Sequence, residues 1–229
     1  TDGDLMILTG SGTSAMESAV VNTLSSGDKV LAISIGVFGN RFADIASVYG
    51  VDVQRLNYEF GKAASPEEIA VLLNQDPAIK AVMVTHNETS TGVTNDIRAI
   101  SEVVKQDPNR LLLIDAVSSL GSIPCPVDEL RADVVISGSQ KGWMVPPGLA
   151  MVAMSGKAWE AYERSNLPKF YLDLGKAKDY LARGQTPWTP AVSVFYALEA
   201  SLKKILDEGV ENVYTRHKSL AEKTRAQVK

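Results

Sequence analysis

The chain has 229 residues, with 23 basic and 27 acidic side chains and a formal net charge of −4. That balance leaves no electrostatic footprint for nucleic acid. No apolar run is long enough to span a bilayer and no signal peptide opens the sequence, so a membrane partner is not expected either. With 45% hydrophobic residues, a chain of this length buries a sizeable core and fits a single α/β domain.

Apolar runs alternate with helical patterns along the chain. "LMILT" (5–9) predicts a strand, followed by "GSG" and a helix from about Ser14 to Ser25. "KVLAISI" (29–35) predicts a second strand with a helix after Gly39, and "VDVQRL" (51–56) a third strand. "SPEEIAVLLNQ" opens with Ser65 as cap, Pro66 at the first helical position and acids in the first turn, a strong helix start. "KAVMVT" (80–85) is a strand and "NDIRAISEVVKQ" a helix carrying its own cap. "RLLLID" (110–115), "ADVVIS" (132–137) and "LAMVAM" (149–154) are three further strands. From about Lys157 onward the pattern is mostly helical, with an amphipathic stripe over 191–209.

The strands are short, rich in Val, Ile and Leu, and not cleanly alternating, which is how strands buried on both faces read. Alternation of such strands with helices predicts an α/β fold with a mostly parallel central sheet flanked by helices. The first residue is Thr, and the last residues run out as a helix with no Gly or Pro stop. The sequence is therefore expected to belong to something longer. The lone Cys125 cannot close an internal disulfide, which makes a reducing, cytoplasmic compartment the default expectation. His86 and His217 stand far apart and no CxxC pair exists, so no structural zinc site is expected.

In open parallel sheets, ligands bind beyond the carboxyl ends of the strands. The first strand delivers "TGSGTS" there: glycines let the backbone approach a ligand, the following helix offers free N–H groups, and Ser11, Thr13 and Ser14 add hydroxyls. Phosphate is the natural guest, and a plain glycine turn is the alternative. Gly10, Gly12 and Ala15 also match GxGxxA, but a dinucleotide fold wants an acid at the end of the second strand, where "AISIGVFGNR" has none.

Strand 110–115 ends on Asp115, a costly place for a carboxylate unless it is paired. It is either a turn former before "AVSSLG" or the partner of a buried cation. The next strand is followed by Lys141, framed by Gly, Trp and "PPG", which is either a surface lysine or a nucleophile. A pyridoxal phosphate ring would need all three elements: a lysine amine for its aldehyde, a carboxylate for its ring nitrogen, and an N–H nest for its phosphate.

"SGSQK" followed by "PPG", with "LLIDAVSSLG" and "THNETSTG" upstream, resembles the class V, fold-type I pyridoxal-phosphate aminotransferases, closest to the alanine–glyoxylate and serine–glyoxylate branch. The likeness runs through nearly the whole chain. It implies pyridoxal 5′-phosphate as cofactor, a small amino acid and a 2-oxo acid as substrates, and a homodimer with a shared active site. Carried over by position, it implies catalytic roles for Lys141, at the cofactor aldehyde, and Asp115, at the ring nitrogen. Ser11, Gly12, Thr13 and Gln140 would lie at the phosphate, Val117 under the ring and Thr89 near the ring hydroxyl. Phe38 stands where the branch often stacks a tryptophan, and Thr189 matches a residue reaching the phosphate of the neighbouring subunit.

The same likeness divides the chain into a large cofactor-binding domain over 1–190 and a helical connection over 191–229. The small C-terminal domain, which brings the substrate-carboxylate arginine in this family, is missing; Arg41 and Arg183 do not stand in its context. His86 would support its loop, and His217, in a charged helix, would be solvated. Cysteine desulfurases of the class carry His where Gln140 stands, which disfavours that chemistry. A lyase or desulfurase of the class, or a non-catalytic subunit keeping the fold, are the alternatives to transamination.

Overall fold

The computed structural model describes residues 1–228. Its centre is a seven-stranded sheet built from β1 (Asp4–Gly10), β2 (Lys29–Ser34), β3 (Asp52–Asn57), β4 (Ala81–Thr85), β7 (Leu111–Asp115), β8 (Val134–Gly138) and β9 (Gly148–Met154). The spatial order is β1-β9-β8-β7-β4-β2-β3. Strands β8, β7, β4, β2 and β3 pair in parallel. Only β9 runs against its neighbours, and because it is antiparallel to both β8 and β1, β1 points the same way as the rest. The carboxyl ends of β1, β7 and β8 therefore open on one edge. A two-stranded ladder, β5 (Asn87–Glu88) with β6 (Val93–Thr94), makes a tight turn just past β4.

Helices cover both faces. Helices α1 (Gly12–Thr23), α2 (Val37–Val48), α5 (Gly156–Arg164) and α6 (Leu174–Leu181) pack on one face; α3 (Pro66–Gln75) and α4 (Ile97–Val104) pack on the other. Alternate strand residues divide between them: Leu111 and Leu113 join Met16 and Phe42, whereas Leu112 and Ile114 join Ile69, Ile100 and Val104. This two-sided burial explains the unbroken apolar runs, each large side chain contributing about 1.5–3 kcal/mol. Helix α7 (Val192–Glu208) closes a third, smaller cluster in which Leu198 meets Val145, Leu149 and Met151, and α8 (Val210–Val228) follows it.

The expected fold class stands, and the strand positions agree within a residue or two. Helix starts moved more: α1 begins at Gly12 instead of Ser14, and α2 at Val37 instead of after Gly39. The caps of α3 and α4 behave as read, Ser65 accepting from the Glu68 amide at 3.2 Å and Asp96 from the Ala99 amide at 3.0 Å. His217, expected in solvent, is half-buried, its Nδ1 2.9 Å from the Val213 carbonyl oxygen. Lys229, the end of the predicted final helix, lies outside the described residues. Among those described, no helix is long and apolar enough to cross a membrane.

The edge where strands begin is braced by a buried ion pair. Lys105 meets Asp133, both about 5% exposed or less, and Asp133 also accepts from the Leu112 amide at 2.7 Å. Such a pair fixes the start of β7 against the start of β8, on the edge opposite to the candidate site.

Candidate active site

Asp115 ends β7 and is 3% exposed. Its Oδ1 accepts from the Val117 amide at 2.9 Å and its Oδ2 from the Thr85 hydroxyl at 3.2 Å, while its backbone carbonyl accepts from the His86 amide at 2.8 Å. Among the described residues no cationic side chain forms an ion pair with it. Burial, the dominant cause, pushes its carboxyl up to about 6; the two hydrogen bonds pull the other way, the Glu88 charge adds to the rise and Arg41 opposes it. A buried carboxylate so placed is a partner waiting for a cation.

The first turn of α1 lies against Val117, two residues on. Ser11 caps the helix, its side chain accepting from the Ser14 amide, and Gly12 follows buried. A methyl group on Gly12 would stand 3.0 Å from both γ-carbons of Val117, so glycine is what allows this approach. At the end of β8, Gly138 is equally close: the position of a Cβ there is 3.5 Å from Gly12 N and 3.1 Å from Gln140 Oε1. Asp115, Val117, Gly12, Gly138 and Gln140 thus meet around the open N-terminus of α1, where amide groups and the helix dipole favour an anion. Thr13 stands on the exposed side of that turn and accepts from Arg41 Nη1 at 3.2 Å. Arg41 in turn lies 4.8 Å from the centroid of the half-buried Phe38 ring.

Lys141 follows β8 on the same edge. Its carbonyl accepts from the Met144 amide at 2.9 Å, and Met144 takes a left-handed backbone, φ 57°. The turn is cross-braced: Trp143 Nε1 donates to Ser137 Oγ at 2.9 Å, Ser139 Oγ donates to the Pro146 carbonyl at 2.8 Å, and the Leu149 amide donates back to Ser139 Oγ at 3.1 Å. The Lys141 ammonium itself forms neither a hydrogen bond nor an ion pair among the described residues. It is a free amine on a rigid support.

Ser11, Gly12, Thr13, Phe38, Asp115, Val117 and Gln140 are linked through the contacts above. Thr89 is exposed at the β5–β6 tip on the same edge, with no side-chain partner among the described residues. Thr189 lies further out: its carbonyl accepts from Thr9 Oγ at 3.4 Å, beside the end of β1, and its side chain is exposed. Sequence reasoning missed two members, Thr85 and Glu88. Glu88 sat in a quoted motif, yet two of the four donors to its carboxylate, the Phe38 and Gly39 amides, lie in α2, far back in the sequence, where no local signal points to them. His86 is 3% exposed with Nδ1 unpartnered, and burial pushes its ring down to about 4, so it is neutral at ordinary pH. Its backbone bridges Asp115 and the Asn95 amide, the loop-supporting place expected of it.

A buried carboxylate with no ion-pair partner among the described residues, a glycine bend at a helix N-terminus and a lysine without a partner among them lie on one sheet edge, a donor set that fits pyridoxal phosphate. The class-V aminotransferase family matches residues 2–229, and the chain belongs to it; pyridoxal 5′-phosphate is the family's cofactor. The chain is 47% identical over 232 residues to the soluble hydrogenase small subunit of a Synechococcus species, covering all of this chain and 60% of that protein. It is 42% identical over 236 residues to the serine–glyoxylate aminotransferase of Methylorubrum extorquens, covering 100% and 59%. The crystal structure of alanine–glyoxylate aminotransferase from a Nostoc species superposes with a TM-score of 0.91 at 33% identity, over 97% of this chain and 59% of that one. The chain thus spans about 60% of the length of the curated relatives it matches.

Proposed function

We propose that the protein is a pyridoxal-phosphate-dependent aminotransferase, moving an amino group between a small amino acid such as alanine or serine and a 2-oxo acid such as glyoxylate. The observation that carries this reading is Asp115, a buried carboxylate with no cation paired to it among the described residues, two residues from a side chain in the space beside Gly12. Residues 1–190 are the large cofactor-binding domain in this proposal, and 191–229 the connection toward a small C-terminal domain. The relatives' greater length is in keeping with a further domain and says nothing of where the boundary falls.

When bound, the cofactor supplies an aldehyde that links covalently to amines and a cationic ring that accepts electron density from the substrate Cα. Everything else falls to the chain. Asp115 holds the ring nitrogen protonated by a charge-assisted hydrogen bond of about 1.5–3 kcal/mol. The α1 N-terminus, with Ser11, Gly12, Thr13 and Gln140, receives the phosphate. Val117 and Phe38 would pack against the ring, and Thr89 would lie near its hydroxyl. Lys141 would hold the cofactor through its aldehyde, and its Nζ would serve as the base that carries a proton between the donor Cα and the cofactor. Thr189 serves the phosphate of a neighbouring copy, which makes the active unit a homodimer. A cytoplasmic location belongs to the same proposal and is supported by the single buried, unpaired Cys125.

Borohydride reduction of the protein with pyridoxal phosphate, followed by peptide mapping, tests the reading. Label on Lys141 is expected, together with oxo-acid release from alanine or serine when glyoxylate is supplied. Label elsewhere, or none at saturating cofactor, refutes it; sulfide release from cysteine would replace transamination by desulfurase chemistry. The hydrogenase-subunit name of one relative motivates a second reading, a subunit that keeps the fold without the reaction. Equal activity of the wild type and Lys141→Ala would select it.

A further inference from the structure

We infer that Glu88 is a positioning residue that locks the Phe38 platform and the Thr89 turn into one rigid wall of the cofactor site. The inference rests on the pyridoxal-phosphate reading above and adds a residue to it. It begins with how α2 starts. The first amides of a helix need acceptors from outside it. Here the N-cap is Gly36, which has no side chain and makes no cap bond of its own. The acceptors come from the β5–β6 turn instead.

Glu88 is fully buried, and its carboxylate takes four hydrogen bonds. Oε2 accepts from the Phe38 amide at 3.0 Å and the Gly39 amide at 3.2 Å. Oε1 accepts from the Ser90 amide at 3.1 Å and the Ser90 hydroxyl at 2.7 Å. Ser90 Oγ also accepts from the Val37 amide at 3.2 Å. Three consecutive amides of α2 are thus satisfied by residues 88 and 90, with Thr89 held between them. Glycine at 36 is part of the arrangement: a Cβ there would lie 2.5 Å from Glu88 Cγ and 2.6 Å from Ser90 Oγ.

The usual local cap, a serine, would bury no charge, but a Cβ at position 36 has no room beside Glu88 and Ser90. The chain instead sinks a carboxylate that has no ion-pair partner among the described residues and stabilises it with N–H and O–H donors and a helix N-terminus. What this adds over a local cap is coupling. Phe38 cannot shift without moving the turn that carries Thr89. Arg41, one turn further along α2, extends the hold to Thr13 at the phosphate nest.

Glu88→Ala, Glu88→Gln and Ser90→Ala test this in the purified protein. Three quantities are read: the pyridoxal-phosphate dissociation constant, the induced circular dichroism of the bound cofactor, and hydrogen exchange of the Phe38 and Gly39 amides without cofactor. Glu88→Ala is expected to expose both amides, to weaken cofactor binding by about 10- to 100-fold, and to change the dichroism. Glu88→Gln keeps an oxygen for both amides, so protection returns and most of the affinity with it. A Glu88→Ala protein that only melts earlier, yet binds cofactor with wild-type affinity and dichroism, overturns the inference and leaves the proposed function standing. Should Glu88→Ala fail to fold, Ser90→Ala decides: about 3- to 10-fold weaker binding with altered dichroism supports the inference, and wild-type values overturn it. Wild-type protein that takes up no pyridoxal phosphate overturns both the function and this inference.

Discussion

The Val117 amide donates to Asp115 Oδ1 at 2.9 Å, while the Val117 side chain fills the space a Cβ on Gly12 would need. One residue therefore spaces the carboxylate from the first turn of α1, the two ends by which the proposed cofactor would be held.

Gly12→Ala puts a methyl group 3.0 Å from both Val117 γ-carbons. It is expected to push α1 outward, weakening pyridoxal-phosphate binding by about tenfold with a stability loss of about 1–3 kcal/mol. Val117→Ala in the same chain should return most of that affinity. Cofactor titration of the two single variants and the double variant gives the coupling directly.

Asp115→Asn is expected to stabilise the cofactor-free protein. With its carboxyl raised from 3.8 to about 6 in the fold, the native state holds the proton longer than the unfolded one. Stability from this group is therefore highest below pH 3.8 and falls as pH rises through about 6. The penalty above that range is up to about 3 kcal/mol, and asparagine removes it. Urea unfolding at pH 8 should show the gain, while cofactor affinity and amino transfer collapse in the same variant.

His86 produces the opposite slope. Its ring falls from 6.5 to about 4 in the fold, so the unfolded chain takes up a proton first and stability is lost as pH drops through that window. In the wild type the two slopes oppose each other between about pH 4 and 6. His86→Asn should uncover stability that falls with rising pH, and Asp115→Asn stability that rises with it. Denaturant midpoints measured across this range separate the two.

Lys105→Ala leaves Asp133 charged and buried at the far edge of the sheet. A loss of about 3–5 kcal/mol is expected, read by chemical denaturation. Because the pair lies away from the candidate site, the folded fraction should bind pyridoxal phosphate with unchanged affinity.

Asp115 was legible because it ends an apolar run at a place where charge is costly, Lys141 because it stands after such a strand in a Gly- and Pro-framed turn, and the glycine bend at Gly10–Gly12 because it joins a strand to a helix. The start of α2 was not legible: Gly36 offers no cap, and the acceptor that replaces it, Glu88, lies on a segment far along the chain. The direction of β9 was equally hidden. A run such as "LAMVAM" is buried on both faces whichever way it points, so hydrophobicity alone carries no sense of direction.

That reversed strand has a temporal consequence. β1 is bonded to the sheet through β9 alone, with Asp4 opposite Met154 and Gly10 opposite Gly148. β1 therefore stays unpaired during folding until β9, far along the sequence, can dock beside it. The glycine bend at its end is held in place only once that distant pairing is made, so a ligand bound there would depend on a contact between the two strands of the sheet most separated in sequence.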